Sequence, residues 1–242
     1  NAAIEVDGAA YWFSENGFFK YAGALQSLQC LVEDFVFDNL NTTANQLINA
    51  GLNNLFGEIN WFYCSSGSTV VDRVVTYNYF DSSPQRPIWT TGTLDRTTWQ
   101  DSAVFGKPHA TDYDADSNNS YDVVGNTDGC TIYYEHETGT DQVTSTATTA
   151  ITSNIQSGDF DIGQGGDGEF FAKIRRFIPD FLSQTGNTQI TLNLRNFPNN
   201  TEASSSLGPF TISSSTEKVD TRARARAVSL KVANTAAAQS WK

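Results

Sequence analysis

Several residue types are missing or scarce, and each shortage closes off a class of chemistry. Methionine is absent from the 242 residues, so the chain is expected to begin inside a longer product or after processing. The cysteines, Cys30, Cys64 and Cys130, are three and widely spaced, with no pair at metal-ligand spacing. They read as reduced thiols that pack as small apolar groups. The two histidines fare no better as catalysts. His109 lies in a polar stretch and His136 sits between Glu135 and Glu137. Neither has a cysteine at nucleophile spacing, and no Gly-x-Ser-x-Gly elbow is present. Both read as structural or solvated, although His136, flanked by carboxylates, is expected to protonate more readily than usual. No apolar run approaches the roughly 20 residues of a membrane span, and no basic-then-apolar leader is visible. A soluble protein away from membranes is expected.

Positive charge is also scarce. Lys and Arg number 15 against 27 Asp and Glu, for a net charge of −12. The imbalance is local. Residues 1–172 hold 5 basic and 23 acidic side chains, net −18, and residues 173–242 hold 10 and 4, net +6. An acidic body argues against wrapping nucleic acid, which requires clustered Lys and Arg.

Aromatic residues, by contrast, are plentiful: 5 Trp, 9 Tyr and 16 Phe. They concentrate in strand-like runs. Ile59-Asn60-Trp61-Phe62-Tyr63-Cys64, Asp72 to Tyr79 and Ile88 to Trp99 are β-branched and aromatic, as a half-buried pleated surface requires. Ser-Ser-Gly-Ser and Ser-Ser-Pro separate them as turns. The reading is an antiparallel meander of three or four strands, the size of one propeller blade. Upstream, Ala9–Phe13 and Phe18–Tyr21 flank Asn16-Gly17, the strongest short hairpin signal. This pair echoes Trp61–Tyr63 and Val74–Tyr77 as a loose internal repeat.

Between the repeats, Val32–Leu40 fits a helix, with Leu31, Phe35 and Val36 at helical spacing and acids early. Leu47–Leu52 and Ile59–Tyr63 read as strands. Lys107–Asp128, rich in Asp, Asn, Ser and Tyr, reads as a long exposed loop with one short strand. Cys130–Glu135 is a strand, and Thr144–Thr152 is another. Ser157–Glu169 turns repeatedly and marks a change of composition. Beyond it, Phe170–Phe177, Gln189–Arg195, Phe210–Ser213 and Thr221–Val232 read as strands. The fold class is therefore all-β. Residues 1–150 are expected to form propeller-like blades and residues 151–242 a C-terminal β-sheet unit.

Candidate sites are few. Asp112-Tyr113-Asp114-Ala115-Asp116 starts like a calcium loop but lacks Gly at the sixth position and Glu at the twelfth. Gly165-Gly166-Asp167-Gly168 occurs once and reads as a turn. Paired carboxylates for glycoside cleavage need only two acids across a cleft, so in an acidic chain they single out nothing. Asp72 with Arg73, and Asp95 with Arg96, read as anchors tying strand to turn. The sharpest charge feature is Arg222, Arg224 and Arg226: two apart on a strand, they share one face. That face suits pairing with carboxylates within the chain or in another subunit, a plain solvated edge, or a DNA phosphate contact. No catalytic residue, cofactor site or metal site is assigned.

Several of these pieces, taken together and in order, carry a resemblance. They are Glu33-Asp34-Phe35-Val36-Phe37-Asp38, Trp61-Phe62-Tyr63, Asp72-Arg73-Val74-Val75-Thr76-Tyr77-Asn78-Tyr79 and Gly92-Thr93-Leu94-Asp95-Arg96-Thr97-Thr98-Trp99. Tyr133 to Glu137, Ser157 to Gly163, Arg175 to Phe181 and Asp220 to Arg224 follow. The pattern resembles the tail nozzle, or packaged-DNA stabilisation, proteins of short-tailed bacteriophages, with Cys64 where the family carries Pro and Ala225 where it carries Gly. The resemblance implies β-propeller blades and a structural protein of the virion tail. It implies a homo-hexameric ring below the portal and adaptor, touching a needle or plug and tail fibres. The ring would seal packaged DNA and pass it during ejection, without enzymatic activity. An acidic wall suits a conduit in which DNA slides without sticking; acidity equally suits keeping a concentrated protein in solution. Two rivals are a glycan-acting propeller enzyme and a receptor-binding or lectin-like module.

Overall fold

The computed structural model describes residues 2–102, 105–114, 130–136, 139–142, 148–161, 170–197, 203, 205–234, 236 and 239–242. The protein is all-β, with antiparallel sheets throughout and two short helical segments among these residues. It divides into two compact units, Asn1–Glu137 and Thr138–Lys242. The expected division near residue 150 lies inside the second.

The first unit opens with a meander in chain order: β1 (Ala3–Val6), β2 (Ala9–Ser14), β3 (Gly17–Tyr21) and β4 (Leu25–Leu28). Strand β2 alternates as a half-buried strand must. Ala9, Tyr11 and Phe13 are buried, and the residues between them are half-buried. Its entry turn is Asp7-Gly8, both at positive φ (51° and 78°) with Val6 opposite Ala9. That is the two-residue hairpin geometry an Asp-Gly pair favours. The expected β2–β3 hairpin is present, but its loop is Glu15-Asn16. Ser14 faces Gly17, and Gly17 alone takes positive φ (121°). The loop therefore sits one residue earlier than a primed turn on Asn16-Gly17 would place it.

Helix α1 (Glu33–Asp38) and a 3-10 helix over Thr42–Leu47 follow. The latter is capped by Asn41, whose side chain accepts from the Thr43 amide at 3.0 Å. The expected apolar stripe of α1 is corrected. Val36 is buried, and Val32, Phe37 and Leu40 pack beside it, while Leu31 and Phe35 face solvent.

A second meander repeats the first in order: β5 (Asn49–Asn53), β6 (Glu58–Tyr63), β7 (Arg73–Asn78) and β8 (Trp89–Gly92). The loose echo in the sequence is thus strand for strand, since β2–β3 and β6–β7 are the central pairs of the two sheets. The aromatic stretch does not end in this sheet, however. β9 (Thr98–Gln100) leaves it to pair with β10 (His109–Asp114), which also pairs with β11 (Cys130–Glu135). A strand thus replaces the expected loop at 109–114. The rest of that loop, from residue 115, lies outside the described residues.

One core joins the two meanders. Tyr11, Phe13 and Phe18 meet Val36, Ile59, Trp61, Tyr63 and Val75. Phe18 is its centre, fully buried, with ring centroids 4.7 Å from Phe13, 5.2 Å from Trp61 and 4.8 Å from Trp89. The third sheet is held by Trp99. Its indole lies against Gly51, where an added Cβ would come within 2.5 Å of the ring, and its Nε1 donates to the Leu52 carbonyl at 2.8 Å.

The second unit contains β12 (Thr140–Gln142) paired with β13 (Thr148–Ala150), then β14 (Asn154–Gln156), β15 (Ala172–Phe177), β16 (Gln184–Thr185), β17 (Thr188–Arg195), β18 (Ser205–Ile212), β19 (Val219–Ala225), β20 (Ala227–Ala233) and β21 (Ser240–Trp241). The main sheet runs β14-β20-β17-β18; β15 and β19 form a two-stranded ribbon, and β16 pairs with β21. In β17 Thr188, Ile190, Leu192 and Leu194 are buried, alternating with half-buried Gln189, Thr191, Asn193 and Arg195, as the sequence alternation predicts. The ribbon's inner face, Ile174, Ala223 and Ala225, packs on Leu192, Leu194 and Val228 of the sheet. The single strand expected over Thr221–Val232 is instead two. The chain leaves the ribbon after Ala225 and enters the main sheet at Ala227, with Arg226 at the break.

Candidate interaction surface

The arginines singled out by their spacing lie on the ribbon. Thr221, Ala223 and Ala225 are buried, so period two turns Arg222 and Arg224 outward, and both are exposed. Lys173 stands directly opposite Arg224 in the ribbon register and is also exposed. Arg226, at the strand break, is half-buried. The three arginines therefore do not form one row. Arg222 and Arg224 share a face, while Arg224 and Arg226 share an aromatic ring. The Arg224 guanidinium lies 4.7 Å from the Phe171 ring centroid and that of Arg226 5.3 Å. Each contact is worth roughly 0.5–1 kcal/mol at an exposed site. Among the described residues no carboxylate pairs with Lys173, Arg222, Arg224 or Arg226. Arg226 Nε is buried without an acceptor.

The sequence reading did not include Phe171 or Lys173 in this surface. The signal was there: Phe170-Phe171 opens β15, and the pairing of β15 with β19 brings Lys173 to Arg224. At the other end of the ribbon, Arg176 donates from Nε to Asp220 at 2.6 Å. That hydrogen bond holds the Asp220 carboxyl below its usual range. Arg195 pairs with Asp159 at 2.5 Å. Elsewhere in this unit, a cleft of about 330 Å³ is lined by Gly139, Ile151, Ser153, Asn234, Gln239, Ser240 and Trp241, none of them an acid, a base or a thiol.

The Asp–Arg pairs of the first unit occupy anchoring positions. Asp72 accepts from the Ser65 amide at 2.7 Å and from its hydroxyl at 2.5 Å, fixing the turn between β6 and β7. Arg96 is buried; it donates to the carbonyl and carboxylate of Asp95 at 2.6 and 3.1 Å and stacks on the Tyr134 ring at 3.6 Å. Its Nε donates to His136 Nε2 at 3.4 Å. Arginine is always a donor here, so His136 Nε2 accepts, and Nδ1 carries the proton toward the Pro108 carbonyl at 3.1 Å. Asp112, 5% exposed, lies beside this group. Burial first, then the charge of Asp95, pushes its carboxyl up to about 6, and the two carboxyls are hydrogen-bonded. Asp112 is thus an inward strand residue, not a calcium-loop ligand. His109 contacts the Tyr133 hydroxyl through Nδ1, and its ring lies tilted against Phe105 with centroids 4.8 Å apart.

The remaining sequence candidates add no chemistry. Cys30 and Cys64 are free thiols. Burial pushes Cys30 up to about 12 and raises Cys64 as well, so neither supplies a thiolate near neutral pH. The side chain of Cys130 and the Gly165–Gly168 turn fall outside the described residues. No group of three or more His, Cys, Asp or Glu among the described residues is arranged to hold a metal ion. No helix of the described residues is long and apolar enough to cross a membrane. No protein-family model matches the chain, and no curated protein matches it by sequence.

Proposed function

We propose that the chain is a wall-forming subunit of a short phage tail, part of a nozzle ring that seals packaged DNA and guides it during ejection. The observation that carries this reading is the repetition of one four-stranded meander around a shared aromatic core. In this reading β1–β4 and β5–β8 are consecutive propeller blades, with β9–β11 beginning a third. Interlocked rings make stiff walls, and stiffness is what a pressurised conduit demands. The charge distribution agrees. The first unit carries 18 acidic and 5 basic residues, net −13, against 9 and 10, net +1, in the second. An acidic wall offers DNA no binding wells, because phosphate contacts require Lys and Arg. The subunit acts without catalysis or cofactor. Its partners are further copies in a homo-hexamer, an adaptor, a needle or plug, and fibres, and its place is the virion tail.

The observation favouring a glycan-acting module instead is the Asp95–Asp112 pair, two neighbouring carboxyls of which one is held up by burial. Asp95 is spent on Arg96, which is itself buried and stacks on the Tyr134 ring, and that suits an anchor better than a cleft. Labelling decides between the readings. Gold-tagged antibody against this chain, applied to intact short-tailed particles, is expected to decorate the tail below the head. Labelling of fibre tips alone, or of no particle component, overturns the tail-wall reading. Release of sugar from a host glycan by the purified chain, abolished by Asp112→Asn, establishes the enzyme.

A further inference from the structure

Two exposed faces of this chain are complementary in both charge and apolar character. The first belongs to α1. Leu31 and Phe35 are 65% and 56% exposed, and Asp34 and Asp38 are exposed beside them. Positions three and four apart on a helix are neighbours, so Asp34, Asp38 and Phe35 lie close together on the outward side, and Leu31 is exposed in the turn just before the helix. The second face belongs to the β15–β19 ribbon. Arg222, Arg224 and Lys173 face outward with no carboxylate partner among the described residues, and Phe170 and Phe171 are 64% and 46% exposed.

We propose that the ribbon of one copy docks on the α1 face of a second copy of this chain, with Arg222 and Arg224 pairing with Asp34 and Asp38. The inference rests on the homo-oligomeric part of the function proposed above and names its contact. The spacings match. Side chains four apart on a helix sit about 5–6 Å from each other, and side chains two apart on a strand about 6.6 Å. Two parallel ion pairs therefore form without distorting either element. Bidentate guanidinium–carboxylate geometry suits these charges. The phenylalanines of the ribbon cover Leu31 and Phe35, removing apolar surface from water. A nucleic acid would satisfy the arginines but leave Leu31 and Phe35 bare, and a chain of net charge −12 repels a polyanion at long range. The two faces differ, so the contact is head-to-tail, and it closes into a ring or runs on as a filament according to its rotation.

The test is analytical ultracentrifugation of the full chain with paired charge reversals. Wild-type protein is expected to self-associate in about 0.05 M salt and to weaken by about tenfold or more in about 0.5 M, as exposed charges are screened. Arg222→Glu with Arg224→Glu, and separately Asp34→Lys with Asp38→Lys, are each expected to lose self-association about tenfold or more with unchanged circular dichroism. Mixing the two variants is expected to restore assembly, because each then meets its opposite charge; a variant that fails to fold would not recover on mixing. Association that is equally strong in both variants overturns this contact while leaving a ring of other geometry standing. A wild-type chain that stays monomeric at the highest soluble concentration removes self-association altogether, and particle labelling then judges the tail reading separately. Tight binding of oligo-thymidine by wild type, lost in the arginine variant, assigns the ribbon to nucleic acid and overturns the proposal.

Discussion

The two units solve the burial problem with different materials. The first fills its centre with rings: Tyr11, Phe13, Phe18, Trp61 and Tyr63 interlock across two sheets and a helix. The second uses aliphatic and small residues. Leu192 and Leu194 of β17 lie against Ala223 and Ala225 of the ribbon, and Ile190, Ile212 and Val232 form a second small cluster. Rings bring large buried area and preferred tilted or edge-on contacts, so few alternative packings exist. Alanine beside leucine lets a ribbon lie close to a sheet, leaving the arginines on its other side to solvent. One unit is built for an unyielding interior, and the other spends part of its surface on unpaired charge.

Substitutions can break this comparison in order of size. Trp61→Ala is expected to cost about 3–5 kcal/mol, because Trp61 is fully buried and its Nε1 donates to the Ala2 carbonyl at 2.9 Å. Thermal unfolding followed by circular dichroism measures it, and a loss below about 1 kcal/mol would contradict an interlocked aromatic core. Leu192→Ala in the second unit is expected to cost about 2–4 kcal/mol, and its effect on the first unit's near-ultraviolet signal should be nil if the cores are separate.

Asp112 sharpens the comparison through pH. Its folded carboxyl is raised to about 6 from 3.8, so the folded state holds a proton that the unfolded chain has released between those values. Stability is therefore greatest at the acid end of that window, falls as pH rises through about 6, and is lower by about 1–3 kcal/mol above it. The groups facing Asp112 are Asp95, which opposes ionisation, and Arg96, which favours it. Asp112→Asn is expected to flatten the dependence and to stabilise the protein at neutral pH, read as melting temperature against pH. A variant with the wild-type slope would remove Asp112 as its source.

Gly51→Ala is smaller again, at about 1–3 kcal/mol, because the methyl meets the Trp99 ring. Quenching or a spectral shift of Trp99 fluorescence reports the displacement. The smallest effect is expected from Phe171→Ala, about 1 kcal/mol or less. It removes the ring that Arg224 and Arg226 share, and its sign distinguishes a stabilising stack from a passive neighbour.

Elements governed by local chemistry were legible in the sequence. Alternation in Gln189–Arg195 gave the buried and half-buried sides of β17, and turn residues placed the meander strands. Elements decided by distant partners were not. Nothing local distinguishes Thr98–Gln100 from the strands before it; it changes sheets because Trp99 finds Gly51 and Leu52 and because β10 offers an edge. Arg226 breaks a run that alternates well on its own, because its amide bonds to the Arg195 carbonyl as the chain enters the main sheet. The helix was placed correctly, but of its expected stripe only Val36 turns inward: the aromatic core accepts Val36 and Phe37, and Leu31 and Phe35 are left outside. For the candidate surface the arginine spacing was visible, but the ring and lysine completing it come from β15, some fifty residues earlier in the chain.

Three indoles in the first unit each donate to a main-chain oxygen far back in the chain: Trp61 to Ala2 at 2.9 Å, Trp89 to Gln29 at 2.8 Å and Trp99 to Leu52 at 2.8 Å. Each clasp can close only after a segment synthesised 47 to 60 positions earlier has waited for its tryptophan to leave the ribosome. The first meander therefore emerges before its fasteners do, and the indole N–H protons, slow to exchange with heavy water once clasped, provide three separate clocks for the order in which the layers lock.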